Sequence, residues 1–149
     1  MLPVLFYGCE TCTLTRDLKW RLNSFGTRSL RRILGYSLSD FVSNKRLPRE
    51  TQRSFATCIV REHQLRLHGH VACFPDADPA HQILSAREPH KWRRPMGRPR
   101  ASWLQYVYQH LKEMEMGQAS AWGMARRRPL EYWQKVVAGT CCSGTCPHT

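Results

Sequence analysis

The segment Trp92–Trp103, WRRPMGRPRASW, most limits what this chain can fold into. Pro95 and Pro99 fix φ and remove backbone donors, with Gly97 between them, so no regular helix can run through it. An extended strap over 87–101 is expected, with helical patterning on either side. The same stretch is the most basic in the chain, because Arg87, Lys91, Arg93, Arg94, Arg98 and Arg100 face only Glu88. Guanidinium forks spread along such a strap match successive phosphates. Contacts of that kind give affinity and salt dependence without reading sequence.

The whole chain points the same way. Its 149 residues carry 23 Lys and Arg against 11 Asp and Glu, a formal net charge of +12. A polyanion, above all RNA or DNA, is the expected partner. Gly97-Arg98-Pro99 is similar to the core of an AT-hook, but Met96 stands where that motif carries arginine. Phosphate binding is therefore favoured over minor-groove reading. The plain alternative is a solvated loop that is basic for solubility alone. A membrane surface ranks lower, since the cations form no single amphipathic face. The apolar opening Met1–Gly8 lacks a basic flank and is too short for a signal core or a span. An intracellular protein, nuclear or cytoplasmic, is expected. Seven cysteines scattered over unlike segments do not read as a secreted disulfide framework.

The remaining pattern is helical. Thr15 is an N-cap candidate, and Leu18, Leu22, Phe25, Ile33 and Leu34 recur at helical spacing up to Gly35, predicting a helix over 16–34. Arg16, Lys19, Arg28, Arg31 and Arg32 would form a basic stripe opposite that apolar one. Ser43 or Asn44 would start a short helix that Pro48 interrupts or tilts. A further helix is expected over 55–71, weakened by Gly69. A turn at 74–79 and a brief helix over 80–86 lead into the strap. Ser102 caps a helix carrying Trp103, Leu104, Val107 and Leu111 that Gly117 ends. Ser120 then begins a last amphipathic piece, broken at Pro129. With no repeat and no sustained strand alternation, the fold class is all-α, with loosely packed helices, a Pro/Arg-rich extended strap acting as a hinge, and a disordered tail.

Motifs for catalysis are incomplete. Cys9-Glu-Thr-Cys12 has the C-x₂-C spacing of a zinc pair but lacks two further ligands in register, the nearest histidine being His63. His63, His68 and His70 lie on one helical stretch and with Cys58 or Cys73 would offer metal ligands, but His63 and Cys73 are too far apart along a helix to meet and His68 and His70 share no face, so they read as polar or partly buried helix-end residues. Asp76 and Asp78 read as turn formers more than as magnesium ligands. No Ser-His-Asp arrangement or phosphate-cradling glycine loop is present. No catalytic residue, metal ligand or cofactor is expected.

Four blocks, in order, carry a resemblance over roughly 2–137. They are Phe6-Tyr7-Gly8-Cys9-Glu10-Thr11 with Thr13-Leu14-Thr15; Arg28-Ser29-Leu30-Arg31-Arg32-Ile33-Leu34-Gly35; Arg61-Glu62, Gln64-Leu65-Arg66-Leu67 and Gly69-His70-Val71; and Trp92-Arg93-Arg94-Pro95 with Gly97-Arg98-Pro99-Arg100. Together the chain resembles the region after the catalytic palm of non-long-terminal-repeat (LINE-type) retrotransposon reverse transcriptases. The resemblance implies a thumb-like helical segment over 1–36, a helical extension over 37–86, the strap over 87–101, a C-terminal helical hairpin over 102–138 and a disordered tail over 139–149. It implies that the polymerase aspartates lie ahead of this chain, that Leu2, Val4, Leu5 and Phe6 would be uncovered without the palm, and that the fragment grips nucleic acid without catalysis. Departures are Cys12 in place of a usual tryptophan, Pro48 in an expected helix, and Met96 in place of an arginine. They read as drift in a truncated or domesticated copy.

The expected function is non-specific RNA or DNA binding through Arg28, Arg31 and Arg32 on the first long helix and Lys91, Trp92, Arg93, Arg94, Arg98 and Arg100 on the strap, by phosphate contacts and base stacking. Trp103 is expected to pack. The parent element's machinery is a candidate partner in trans. The competing reading is a remnant with no selected activity.

Overall fold

The structure, a computed structural model, describes residues 2–52, 54–86, 93, 96, 97 and 102–140. Every regular element among them is helical: α1 Leu2–Leu5, a 3-10 turn Cys9–Thr11, α2 Arg16–Leu34, a 3-10 turn Leu38–Asp40, α3 Arg46–Glu50, α4 Ala56–Ala72, α5 Pro79–Ser85, α6 Trp103–Glu113, α7 Gln118–Arg127 and α8 Pro129–Thr140. None is long and apolar enough to cross a membrane.

The ends of α2 lie where the sequence signals them. The Thr15 hydroxyl accepts from the Leu18 amide at 3.4 Å. At the other end Gly35 takes a left-handed φ of 73°. The Tyr36 amide then reaches Arg31 O at 2.9 Å and Gly35 reaches Arg32 O at 3.4 Å, closing the last carbonyls.

The seating of α2 differs from expectation. Its buried residues are Asn23 and Thr27, while Leu18, Phe25 and Ile33 face outward, Ile33 being 78% exposed. The reason is the neighbour. The chain runs into α4 through Phe55, which offers no side-chain cap, and Asn23 supplies one from α2. Its Oδ1 accepts from the Thr57 amide at 3.3 Å and the Thr57 hydroxyl at 3.1 Å. A cap of this kind is worth about 1 kcal/mol, set against the buried Asn23 Nδ2, which has no partner among the described residues.

Pro48 sits inside the first turn of α3, where no amide is needed for the helix, so the short helix forms around it and buries Leu47 completely. Asp78 caps α5 by accepting from Ala80 N at 2.8 Å, and Asp76 pairs with Arg126 at 2.8 Å. Both aspartates of the 74–79 turn are thus structural. Ser102 Oγ accepts from Gln105 N at 3.3 Å and starts α6.

Gly117 does not end α6. The helix stops at Glu113, and Glu115 takes the left-handed position at φ 57°. Met116 N reaches Leu111 O at 2.9 Å and Glu115 N reaches Lys112 O at 3.0 Å. Gly117 instead precedes α7, which starts at Gln118, before the expected Ser120. Pro129 opens α8, which continues through Gly139 and Thr140 into the stretch expected to lack structure. Residues 141–149 lie outside the described set.

The centre of the molecule is α4. Leu65 and Ala72 on it pack with Val107 and Leu111 of α6, Ala121 and Ala125 of α7, and Tyr132 and Val136 of α8, so helices before and after the strap share one core. Gly69 makes the closest approach possible. A Cβ there would stand 2.5 Å from Tyr132 Cε1 and 3.1 Å from Trp133 Cη2. The glycine that weakens α4 as an isolated helix is therefore what lets α8 lie against it.

Tyr132 is wholly buried, and its hydroxyl donates to Leu65 O at 2.8 Å. His68 Nδ1 lies 3.3 Å from the same oxygen. Since the only phenolic proton goes to Leu65, Nδ1 must carry the imidazole proton and donate. Burial holds His68 neutral, its pKa lowered to about 4. The ring also stands edge-on to Trp122, centroids 5.3 Å apart.

Candidate functional site

On α2 the three arginines expected to bind have different surroundings. The Arg31 guanidinium donates to Val42 O and, at 3.0 Å, to Asn44 Oδ1, so it holds the loop after the helix. Arg28 and Arg32 are exposed, and neither forms an ion pair with a described residue. Four residues apart, they project from one side of α2, separated by about 6 Å along the axis. Exposed Phe25, three residues before Arg28, lies on the same side of the helix.

Other cations are committed within the fold. Arg61 bridges Glu113 at 3.0 Å and donates to His110 O at 3.2 Å, tying α4 to α6. Lys19 stands 5.2 Å from the centre of the Tyr106 ring. Arg21, Arg46 and Arg66 pair with acids on their own helices, and Arg128, between α7 and α8, pairs with Glu131 in the first turn of α8.

Of the strap, the described residues are Arg93, Met96 and Gly97. Arg93 is exposed and outside any helix. Met96 is fully exposed, and Gly97 has φ 125°, which a residue with a Cβ adopts only under strain. Lys91, Trp92, Arg94, Arg98 and Arg100 lie outside the described residues, as does the extended form expected for most of the strap. Trp103, at the start of α6, is structural as expected. Its indole Nε1 donates to Glu10 O at 2.6 Å.

That bond pins a second group of side chains. Gly8, at φ 67°, turns the chain into the 3-10 turn Cys9–Thr11, and Cys12 N closes it on Cys9 O at 3.2 Å. Gln64 of α4 donates to Cys12 O at 2.6 Å. Trp103 and Gln64 therefore fasten the turn from two sides. The result is a cluster: Cys9 Sγ, a Glu10 carboxylate oxygen and a His63 ring nitrogen all lie within 4.8 Å of one another. Cys9 is buried and the other two are half-buried. Burial raises the Cys9 pKa first, followed by the negative charge of Glu10 and then by Cys12.

The sequence contained the C-x₂-C signal and named His63 as the nearest histidine. It missed that Glu10 is the third member and that Cys12 points elsewhere, its Sγ lying 3.6 Å from Gly8 O. His68 and His70 are not part of the cluster. His68 is in the core and His70 lies against the Trp133 ring, centroids 5.1 Å apart.

Comparison with protein-family models, with curated proteins and with solved structures gives no match.

Proposed function

We propose that this chain is a non-specific nucleic-acid-binding fragment, without catalytic activity of its own, derived from a LINE-type retrotransposon reverse transcriptase. It would act in the nucleus or cytoplasm, alone or in trans with its parent machinery. Arg28 and Arg32 carry the reading, because they stand on an outward side of α2 with no described acid to neutralise them. Arg93 is exposed on the strap, whose other expected binding cations, Lys91, Arg94, Arg98 and Arg100, lie within seven residues of it in sequence. Phosphates are the complementary ligand for such a surface, and Trp92 would add stacking on unpaired bases.

The test is fluorescence-anisotropy titration of the full chain against single-stranded RNA and against A·T-rich and G·C-rich duplex DNA over a series of salt concentrations. Binding should tolerate sequence and collapse with salt. Replacing Arg93, Arg94, Arg98 and Arg100 by alanine should reduce the slope of log K against log salt by up to about 0.9 for each duplex phosphate that is no longer neutralised. Arg28→Ala with Arg32→Ala should act in the same direction. An unchanged slope in both variants removes the proposed interface, and absence of binding at low salt favours a remnant without activity.

A further inference from the structure

We propose that Cys9, Glu10 and His63 form a zinc-class divalent-metal site that fastens the N-terminal turn to α4, with water in the fourth position. Three features on three neighbouring segments support it. The donor set is one thiol, one carboxylate and one imidazole, the combination that zinc accepts in four-coordinate sites. The donor atoms already lie within 4.8 Å of one another. Bond lengths of about 2.0–2.3 Å require ligand separations of roughly 3.3–3.8 Å, so small side-chain rotations complete the geometry.

The second feature is that these side chains converge without satisfying one another. Neither Glu10 nor His63 makes a side-chain hydrogen bond or ion pair with another described residue. A half-buried carboxylate thus stands beside a buried thiol with no cation among the described residues to balance it. The third is support from behind. The Glu10 carbonyl is held by Trp103 at 2.6 Å and the Cys12 carbonyl by Gln64 at 2.6 Å, so the turn that carries two ligands is fixed against the helix that carries the third. On binding, the Cys9 thiol proton passes to bulk water as the sulfur–metal bond forms, and no electron is transferred.

The structure separates this set from the motif that sequence spacing suggests. Cys12 Sγ rests on the Gly8 carbonyl and is not among the converging atoms. The proposal therefore predicts that Cys12 can be replaced and His63 cannot.

The experiment uses the full chain with its other cysteines unaltered, and the single-residue variants below separate the Cys9 thiolate from the rest. Cobalt(II) is titrated while thiolate-to-cobalt charge-transfer absorption is followed, then displaced with zinc(II). Expected is a band saturating at one cobalt per chain, abolished by Cys9→Ser and unchanged by Cys12→Ser. His63→Ala and Glu10→Gln should each weaken cobalt affinity by roughly tenfold or more. Circular dichroism of each variant establishes its fold, and if Cys9→Ser does not fold, the His63 and Glu10 variants decide. The absence of a band, an undiminished affinity in His63→Ala, or a loss in Cys12→Ser as great as in Cys9→Ser overturns the assignment.

Discussion

Replacing Gly69 by alanine sets two effects of known size against each other. In an isolated helix alanine is favoured over glycine by roughly 0.8–1.0 kcal/mol. In this fold the added Cβ would stand 2.5 Å from Tyr132 Cε1, 3.1 Å from Tyr132 Cδ1 and 3.1 Å from Trp133 Cη2. Tyr132 cannot easily give way, because it has no exposed surface and its hydroxyl is bonded to Leu65 O at 2.8 Å. Overpacking of this kind costs about 1–3 kcal/mol, and displacing the ring adds a buried hydrogen bond of about 1 kcal/mol. After the propensity gain, Gly69→Ala should destabilise by roughly 1–3 kcal/mol, lowering Tm by about 3 °C per kcal/mol. Urea denaturation followed by circular dichroism at 222 nm, the standard helical band, measures it. Tyr132→Phe in the same background refines the test, since a hydroxyl already displaced by the clash should cost less to remove than in the unmodified chain. A midpoint that stays or rises on Gly69→Ala would refute the close seating of α8 on α4.

Two further outcomes follow from the described geometry. Glu115 occupies a left-handed position at φ 57° that glycine holds at lower cost, so Glu115→Gly should stabilise by about 0.5–1 kcal/mol, read as a raised urea midpoint; a lowered midpoint would mean that Glu115 is not strained. His68 and His110 have pKa values lowered by burial to about 4 and about 3, with Arg61 and then Lys19 adding to the effect on His110. Their contribution is complete above the unfolded value of about 6.5 and is lost as pH falls through the folded values, because the unfolded chain then binds more protons. For His68 alone this amounts to on the order of 3 kcal/mol. Urea midpoints taken downward from neutral pH should fall steeply, and His68→Gln should flatten that fall; an unaltered pH profile in the variant would show that His68 is not held neutral in the core.

Local signals are legible where one residue decides the outcome. Thr15, Gly35 and Ser102 act at the helix ends where their side chains or φ values are needed. What sequence does not show is which face of a helix finds a partner. The apolar stripe of α2 is read correctly as a pattern, yet Asn23 and Thr27 make the contact, because the start of α4 needs a hydrogen-bond acceptor and only tertiary structure reveals that need. Gly69 reads as a local cost for the same reason: its benefit lies in a ring 63 residues further on. Glu10 is invisible as a candidate ligand because nothing in its spacing from His63 distinguishes it from an ordinary surface acid. The basic strap is the clearest signal in sequence, and only Arg93 among its expected binding cations is described.

The distribution of acids connects the two proposals. With 11 acids against 23 Lys and Arg, each carboxylate has a choice of partners. Asp17, Glu50, Glu62, Asp76, Glu113 and Glu131 are used in ion pairs, and Asp40 and Asp78 cap helical turns. Most of these pairs lie within or between the helices of the body, and none involves Arg28 or Arg32. The substitutions that test nucleic-acid binding therefore break no ion pair among the described residues, so a change in salt slope without a change in Tm reports on the interface itself. Arg31 is left out of that variant because its bonds to Val42 and Asn44 would confound the two readouts. Among the described acids, Glu10 and Glu115 alone are neither paired nor capping. Glu115 is exposed in the loop between α6 and α7, whereas Glu10 is half-buried against a thiol and an imidazole. A solvated loop explains the first. The second is consistent with the need for a cation that the described side chains do not supply.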